Sequence, residues 1–286
     1  MSKSTVRRHP DWLKVKIPGG KNYIEMKQLL RKSHLHTICE EAKCPNLAEC
    51  FGCGTSVFLI LGDVCSRNCR YCNVAHGSPK QLNPNEPELV AKSVVELNLK
   101  YAVITSVTRD DLKDGGANVF AKTIREIRKM SPSCGVEVLI PDFLGSSDAL
   151  KTVVDAHPDV INHNIEVVER LFESIRPQGN YQLSLEVLKK AKQLDPSIHS
   201  KSGLMVGLGE SWDEVIKTLE DLRSVGVEFV TIGQYLQPSK NHVKISKYYT
   251  PEEFERLKKI AYGLGFVHVE SGPLVRSSYH AQDALR

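Results

Sequence analysis

At 286 residues the chain exceeds the usual span of one domain but stays within the size of a single α/β barrel, so one large domain with decorations is expected. With 41% hydrophobic and 25% charged residues it can bury a sizeable core, which excludes wholesale disorder and collagen-like structure. The formal net charge of +4 is spread over both signs, and no run approaches the ~20 apolar residues of a membrane-spanning helix, so neither nucleic acid nor membrane is an expected partner.

The opening MSKSTVRRHPDWLKVKIPGG lacks the apolar centre of a signal peptide. Arg7 and Arg8 are followed at once by Asp11 and Trp12 rather than by an Arg/Ser-rich amphipathic helix, and a cytoplasmic location is expected. Trp12, between Pro10 and Pro18, suggests an extended segment wrapping the core. No heptad pattern or long apolar edge is evident, which points to a monomer.

Seven of the eight cysteines crowd between Cys39 and Cys72. A reduced intracellular chain of this size needs no disulfide framework, so the crowding asks for metal. Cys39, Cys44 and Cys50 read C-x4-C-x5-C in CEEAKCPNLAEC, three thiolates lacking a fourth. Cys53, in FGCGT, and the distant Cys134 belong to neither triplet and read as buried small hydrophobes, although Cys53 is near enough to compete with Cys50.

The apolar run VFLIL at 57–61 predicts a first strand, and behind it Cys65, Cys69 and Cys72 form C-x3-C-x2-C in CSRNCRYC. Such a loop aims three thiolates at one centre and leaves one coordination place open. Soft thiolates with an open place suit a cubane iron–sulfur cluster with one free iron. A structural zinc site using His76 as fourth ligand is the competing reading.

Further short β-branched runs predict strands at 101–107, 135–140, 158–164, 201–207 and 228–234, six in all with the first. Helical patterns lie between them, at 88–100, 119–130, 184–194 and 212–225. Alternating strands and helices predict a parallel sheet, and six units are too few for a closed eight-stranded barrel. The expected fold is α/β, an open partial (β/α)6 barrel over 57–265, with an N-terminal extension (1–56) carrying the first cysteine triplet and a C-terminal segment (266–286).

Chemistry in barrels sits at the C-terminal strand ends. The second strand offers Thr105, Ser106, Arg109 and Asp110 there, with Gly115 and Gly116 before a helix N-terminus open to an anion, or an ordinary loop with Asp114 as cap. The fourth offers Asn162, His163, Asn164 and Glu166, of which Asn164 and Glu166 suit a ribose or an ammonium. The fifth leads into Gly203, Gly207 and Gly209, with Glu210 placed to cap the next helix. Arg176, Gln234 and Gln237 are rim candidates for a carboxylate.

The C-x3-C-x-(aromatic)-C loop, with Tyr71 as its aromatic, resembles the signature of the radical S-adenosylmethionine (SAM) superfamily, which implies the same partial barrel. In that superfamily the free iron is chelated by the amino and carboxylate groups of SAM, and Tyr71 takes the place near the adenine. Thr105, Asn164, Glu166 and Arg176 are the further expected SAM contacts. Within the superfamily, C-x4-C-x5-C together with Arg276, Ser277, Ser278 and Tyr279 near the C-terminus is similar to the lipoyl synthase family. There an auxiliary 4Fe-4S cluster on Cys39, Cys44 and Cys50 is completed by a serine, here Ser277 with Ser278 as rival.

The resemblance implies an enzyme with two 4Fe-4S clusters that uses SAM to insert two sulfur atoms, at carbons six and eight, into a protein-bound octanoyl chain. The auxiliary cluster is the sulfur donor, and no general-base triad is implied. Implied partners are an octanoylated lipoyl carrier, either an E2 lipoyl domain or a glycine-cleavage H protein, and an electron donor such as ferredoxin or flavodoxin. Another radical SAM sulfur-insertion enzyme, or a non-enzymatic iron–sulfur protein, is the alternative.

Overall fold

A computed structural model of the chain describes residues 9–15, 19–33, 35–52, 56–279 and 281–285; Cys53, Arg7 and Arg8 lie outside them. The strands are β1 (His36–Thr37), β2 (Val57–Ile60), β3 (Val64–Cys65), β4 (Ala75–His76), β5 (Tyr101–Ser106), β6 (Gly135–Leu139), β7 (Val160–Asn162), β8 (His199–Val206), β9 (Phe229–Gln234) and β10 (His268–Gly272). The helices are α1 (Lys21–Lys32), α2 (Ile38–Glu41), α3 (Leu47–Gly52), α4 (Glu86–Glu96), α5 (Ala117–Met130), α6 (Ser147–Val154), α7 (Phe172–Ile175), α8 (Tyr181–Leu194), α9 (Trp212–Ser224) and α10 (Pro251–Gly263).

One sheet runs in the order β1-β2-β5-β6-β7-β8-β9-β10, while β3 and β4 pair separately. All neighbours in the large sheet are parallel except β1 against β2. The six predicted strands are all present, and six βα units follow in turn. The sheet then continues beyond the expected 57–265 span, through β10 on one edge and β1 on the other. Strands buried on both faces read as apolar runs, as in VFLI of β2, and FVTIGQ of β9 is as fully buried although it carries Thr231 and Gln234.

The helices cover the sheet with one apolar face each. In α5 the buried Phe120, Ala121, Ile124 and Ile127 recur at helical spacing. Ser211 and Thr250 cap α9 and α10, each reciprocated by a glutamate three residues on, which satisfies the first free N–H groups.

Towards the N-terminal strand ends the interior holds a polar layer. Glu137 of β6 accepts from Lys201 Nζ at 3.0 and 3.1 Å, Tyr101 Oη at 2.9 Å and Asn162 Nδ2 at 3.0 Å, and all four side chains are buried. Each charge is thereby paired, as burial requires. Asn162 is committed to this layer and is not a wall of the cavity at the opposite end. The C-terminal turn Ala281–Leu285 packs on β5, so the chain end returns to the sheet it left at Gly272.

Candidate active cavity and metal centres

The C-terminal strand ends open into a cavity of about 520 Å³. Its wall includes Cys39, Cys44, Cys65, Cys69 and Cys72, together with Tyr71, Thr105, Asn164, Glu166, Arg176, Ser277 and Ser278. Members of two separate cysteine groups, and two serines from the far end of the sequence, therefore face one space. Cys50 is half-buried on α3, behind this wall; its backbone N–H bonds to Asn46 O at 2.9 Å.

Within each group the thiols influence one another electrostatically. Burial pushes Cys39 up to about 12, and the neighbouring Cys44 and Cys50 add to the rise. Cys72 is likewise pushed up to about 12 by burial, with Cys69 and Cys65 adding. Cys39 and Cys44 in one group, and Cys69 and Cys72 in the other, thus resist ionising beside one another, a donor set that a cationic metal centre stabilises as thiolates. Among the described residues no three His, Cys, Asp or Glu converge as ligands of a single ion. In a cubane each thiolate takes a different iron, so convergence on one point is not required.

The Cys65–Cys72 loop is tied down at nearly every position. Cys65 Sγ accepts from Arg67 N at 3.4 Å and Thr108 N at 3.3 Å, and hydrogen bonds to cluster sulfurs tune their centre. The Arg67 guanidinium bridges Asp110 and Asp142. Arg70 N reaches Ile175 O, and His242 Nε2 lies 3.1 Å from Cys72 O. Asn73 Nδ2 donates to Glu41 O at 2.8 Å, linking this loop to the segment carrying the first triplet. Spacing alone marked the cysteines but none of these struts.

Opposite the loop, Glu166 has a left-handed backbone (φ 68°), held by Glu166 N to Gly203 O at 2.9 Å and Met205 N to Glu166 O at 2.8 Å. A glutamate in that region stores strain, which is characteristic of functional sites. Burial pushes its carboxyl up, against the opposing pull of Arg176 and hydrogen bonds from Asn164 and Tyr71. Burial likewise raises Tyr71 well above the usual tyrosine range, and Glu166 and Cys69 add to it. Arg176 Nη1 donates to Asn164 O at 3.2 Å and Ile165 O at 3.3 Å.

Arg176 Nε and Asn164 Oδ1 are buried and find no hydrogen-bond partner among the described residues. Unmet polar atoms on a cavity wall are what a polar ligand would satisfy. Gly203 of β8 leaves the space for it: a Cβ there would stand 2.7 Å from Asn164 Oδ1 and 2.9 Å from Thr231 Oγ1. The residues present therefore fit both an iron–sulfur centre and a ligand carrying carboxylate, ammonium and hydroxyl groups.

Several expectations are corrected. Arg109 does not face the opening; it pairs with Asp111 and donates to Leu61 O at 3.1 Å, while Asp110 is held by Arg67. The N-terminus of α5 is no anion site, because Asp114 accepts from Gly116 N and Asn118 N. Glu210 caps no helix: it takes Gly207 N and Leu208 N of its own loop, and Ser211 caps α9. Gln234 lines the cavity, but its amide is spent on Val206 O, Tyr235 O, Lys247 O and Tyr249 N. Two other readings hold: Gln237 lines the cavity and donates to His242 O, and Cys134 is a buried core residue as expected.

The radical SAM superfamily model matches residues 59–222, and the model of the N-terminal domain of lipoyl synthase matches residues 1–44. Among curated proteins, the lipoyl synthase of Rubrobacter xylanophilus is 56% identical over 96% of this chain and 85% of its own length. That of Halalkalibacterium halodurans is 54% identical over 97% and 92%. Among solved structures, HydG, a maturase of the [FeFe]-hydrogenase, has a TM-score of 0.60 at 13% identity, over 80% of this chain and 61% of its own, a likeness of fold.

Proposed function

The chain belongs to the lipoyl synthase family of the radical SAM superfamily, and from that premise we propose that this cavity inserts sulfur at carbons six and eight of an octanoyl chain borne by a lipoyl carrier. Cys65, Cys69 and Cys72 would hold a 4Fe-4S cluster that works with SAM. Cys39, Cys44, Cys50 and Ser277 hold the auxiliary 4Fe-4S cluster. The observation that carries this reading is the shared wall: members of both triplets and the serine pair line one cavity.

Acid–base chemistry cannot break an unactivated C–H bond, whose acidity lies far outside what burial or neighbours can tune. When bound, the first cluster with SAM supplies the carbon-centred radical that such bonds require, and the second cluster supplies the sulfur. The protein binds, orients and excludes water. Arg176 would offer a buried guanidinium to the SAM carboxylate, Glu166 and Asn164 would serve its ammonium or ribose, Tyr71 its adenine, and Thr105 would support the floor. Thr105 Oγ1 is itself fixed by Leu139 O at 3.2 Å.

An E2 lipoyl domain or glycine-cleavage H protein would bring the octanoyl chain, and ferredoxin or flavodoxin the electrons, in the cytoplasm. No helix among the described residues is long and apolar enough to cross a membrane.

The test is iron counting with SAM cleavage on anaerobically prepared protein. Replacing Cys65, Cys69 and Cys72 by alanine should remove about half the iron and all SAM cleavage. Replacing Cys39, Cys44 and Cys50 should remove the other half and leave SAM cleavage in place. Zinc in place of iron, or loss of SAM cleavage with the second set, overturns the assignment.

A further inference from the structure

The C-terminal serines reach the cavity only because the chain beyond β10 is seated on the cysteine turn at points on either side of them. Upstream, Asn46 Nδ2 donates to Leu274 O at 2.7 Å, across 228 positions of sequence. Asn46 is 4% exposed and stands between Cys44 and Cys50. Its own backbone N–H faces the Cys44 sulfur, and its carbonyl accepts from Cys50 N. The residue that holds the tail is thus built into the turn that carries two cysteines.

From the other side the Val275 carbonyl presses on β9. A Cβ at Gly233 would lie 2.2 Å from Val275 O, so only glycine admits the tail at this depth. Downstream, Tyr279 Oη meets Glu49 Oε1 at 3.4 Å, and Ala281 is buried in the core. Ser277 and Ser278 fall between these anchors, on the same wall as Cys39 and Cys44.

We propose that Asn46, with Gly233 opposite it, is a positioning residue for the serine pair: it seats Leu274–Tyr279 on the cysteine turn so that a serine hydroxyl is delivered to the auxiliary site. This rests on the reading that a serine completes that site. The physical need is clear, because an oxygen ligand matches iron less well than thiolate and must be held in place by its surroundings. Asn46 acts through the tail and touches no reacting atom.

Hydrogen exchange followed by mass spectrometry on the anaerobic, cluster-loaded protein tests the seat. Asn46→Asp keeps the size but turns the donor into an acceptor facing Leu274 O. Gly233→Ala keeps Asn46 but inserts a methyl against Val275 O. Both should raise exchange in 274–279 at least tenfold and leave β8 and α10 unchanged. Unaltered exchange in 274–279 for either variant overturns the proposal.

A second readout separates positioning from general support. With Cys65, Cys69 and Cys72 replaced by alanine, the remaining iron reports on the auxiliary site alone. There Asn46→Asp should weaken or change the reduced-state electron paramagnetic resonance signal as Ser277→Ala does, and adding Ser277→Cys, a stronger ligand, should bring back a full-intensity cluster signal of altered shape. An unchanged signal in Asn46→Asp, beside a changed one in Ser277→Ala, overturns the positioning role. The exchange data decide the seat even where Ser277→Ala and Ser278→Ala, tested alone, show that neither serine ligates.

Discussion

The Arg67 guanidinium grips the Asp142 carboxylate through two hydrogen bonds of 2.6 Å, with both side chains buried. The pair joins the loop between Cys65 and Cys69 to the end of β6, and Asp110 closes on the same guanidinium at 2.7 and 3.0 Å. One arginine therefore fixes the orientation of the loop that carries the second cysteine triplet.

Breaking this pair should uncouple the loop. Removing one partner of a buried ion pair typically costs about 3–5 kcal/mol, because the other charge is left without compensation. Asp142→Asn and Arg67→Leu should each lower the stability by that order in urea titration. Arg67→Lys should fare little better, since an ammonium cannot reproduce the fork. A loss under about 1 kcal/mol in all three would show that the loop is held by its backbone contacts alone.

His163 should remain neutral throughout the physiological range. Burial, then the nearby Arg176 charge, brings it down to about 4, while its ring nitrogens lie 2.9 Å from Ile140 O and 3.0 Å from Ser184 Oγ. The folded value is below the unfolded one, so the contribution is present above about pH 6.5 and is lost as pH falls through 4. Some 3 kcal/mol is at stake over that window. The C2 proton resonance of His163 should not titrate between pH 5.5 and 8, and His163→Gln should flatten the acid limb of the stability profile. A midpoint near 6.5 for that resonance contradicts the assignment.

What could be read in advance follows the range of the interactions. The strands β2, β5, β6, β7, β8 and β9 are largely buried and carry short apolar or β-branched stretches such as VFLI, YAVI and LMV, and the cysteine triplets are local spacings. β10 was not legible, because in HVESG only Val269 is fully buried and the remaining residues are polar or glycine. The contacts Arg67–Asp142, Glu137–Lys201 and Asn46–Leu274 span 75, 64 and 228 positions and leave no periodic trace. Arg109 was misplaced for a related reason: the strand end locates its Cα, but its guanidinium turns back to Leu61 O.

The two serines can be told apart chemically. Both line the cavity, and no hydrogen bond from the described residues holds either hydroxyl. With Ser277 as ligand, Ser277→Ala should lose product formation and auxiliary iron, whereas Ser278→Ala should retain most of both. Ser277→Cys should keep the iron, since thiolate is the better-matched ligand. Iron content and lipoyl product in a single-turnover assay are the measurements, and the reverse ranking of the two alanine variants assigns the ligand to Ser278.

Gly203→Ala should weaken SAM binding without unfolding the barrel. Gly203 sits within β8, where the backbone would accept alanine, so the obstacle is the new methyl itself. At 2.7 Å from Asn164 Oδ1 and 2.9 Å from Thr231 Oγ1, it forces both side chains to give way. Asn164 then loses its bond to Glu166 Oε1, now 3.1 Å, and with it the fixed edge of the polar wall. Overpacking of this kind costs about 1–3 kcal/mol of stability, and loss of a well-placed polar contact of about 1.4 kcal/mol should lower SAM affinity measured by calorimetry roughly tenfold. The iron content should stay at the parent value. If the effect passes through Asn164, the double variant Gly203→Ala/Asn164→Ala should bind SAM no worse than Asn164→Ala alone, the non-additivity expected of residues in contact. Fully additive losses would show that the methyl acts elsewhere, at Thr231, and not through Asn164.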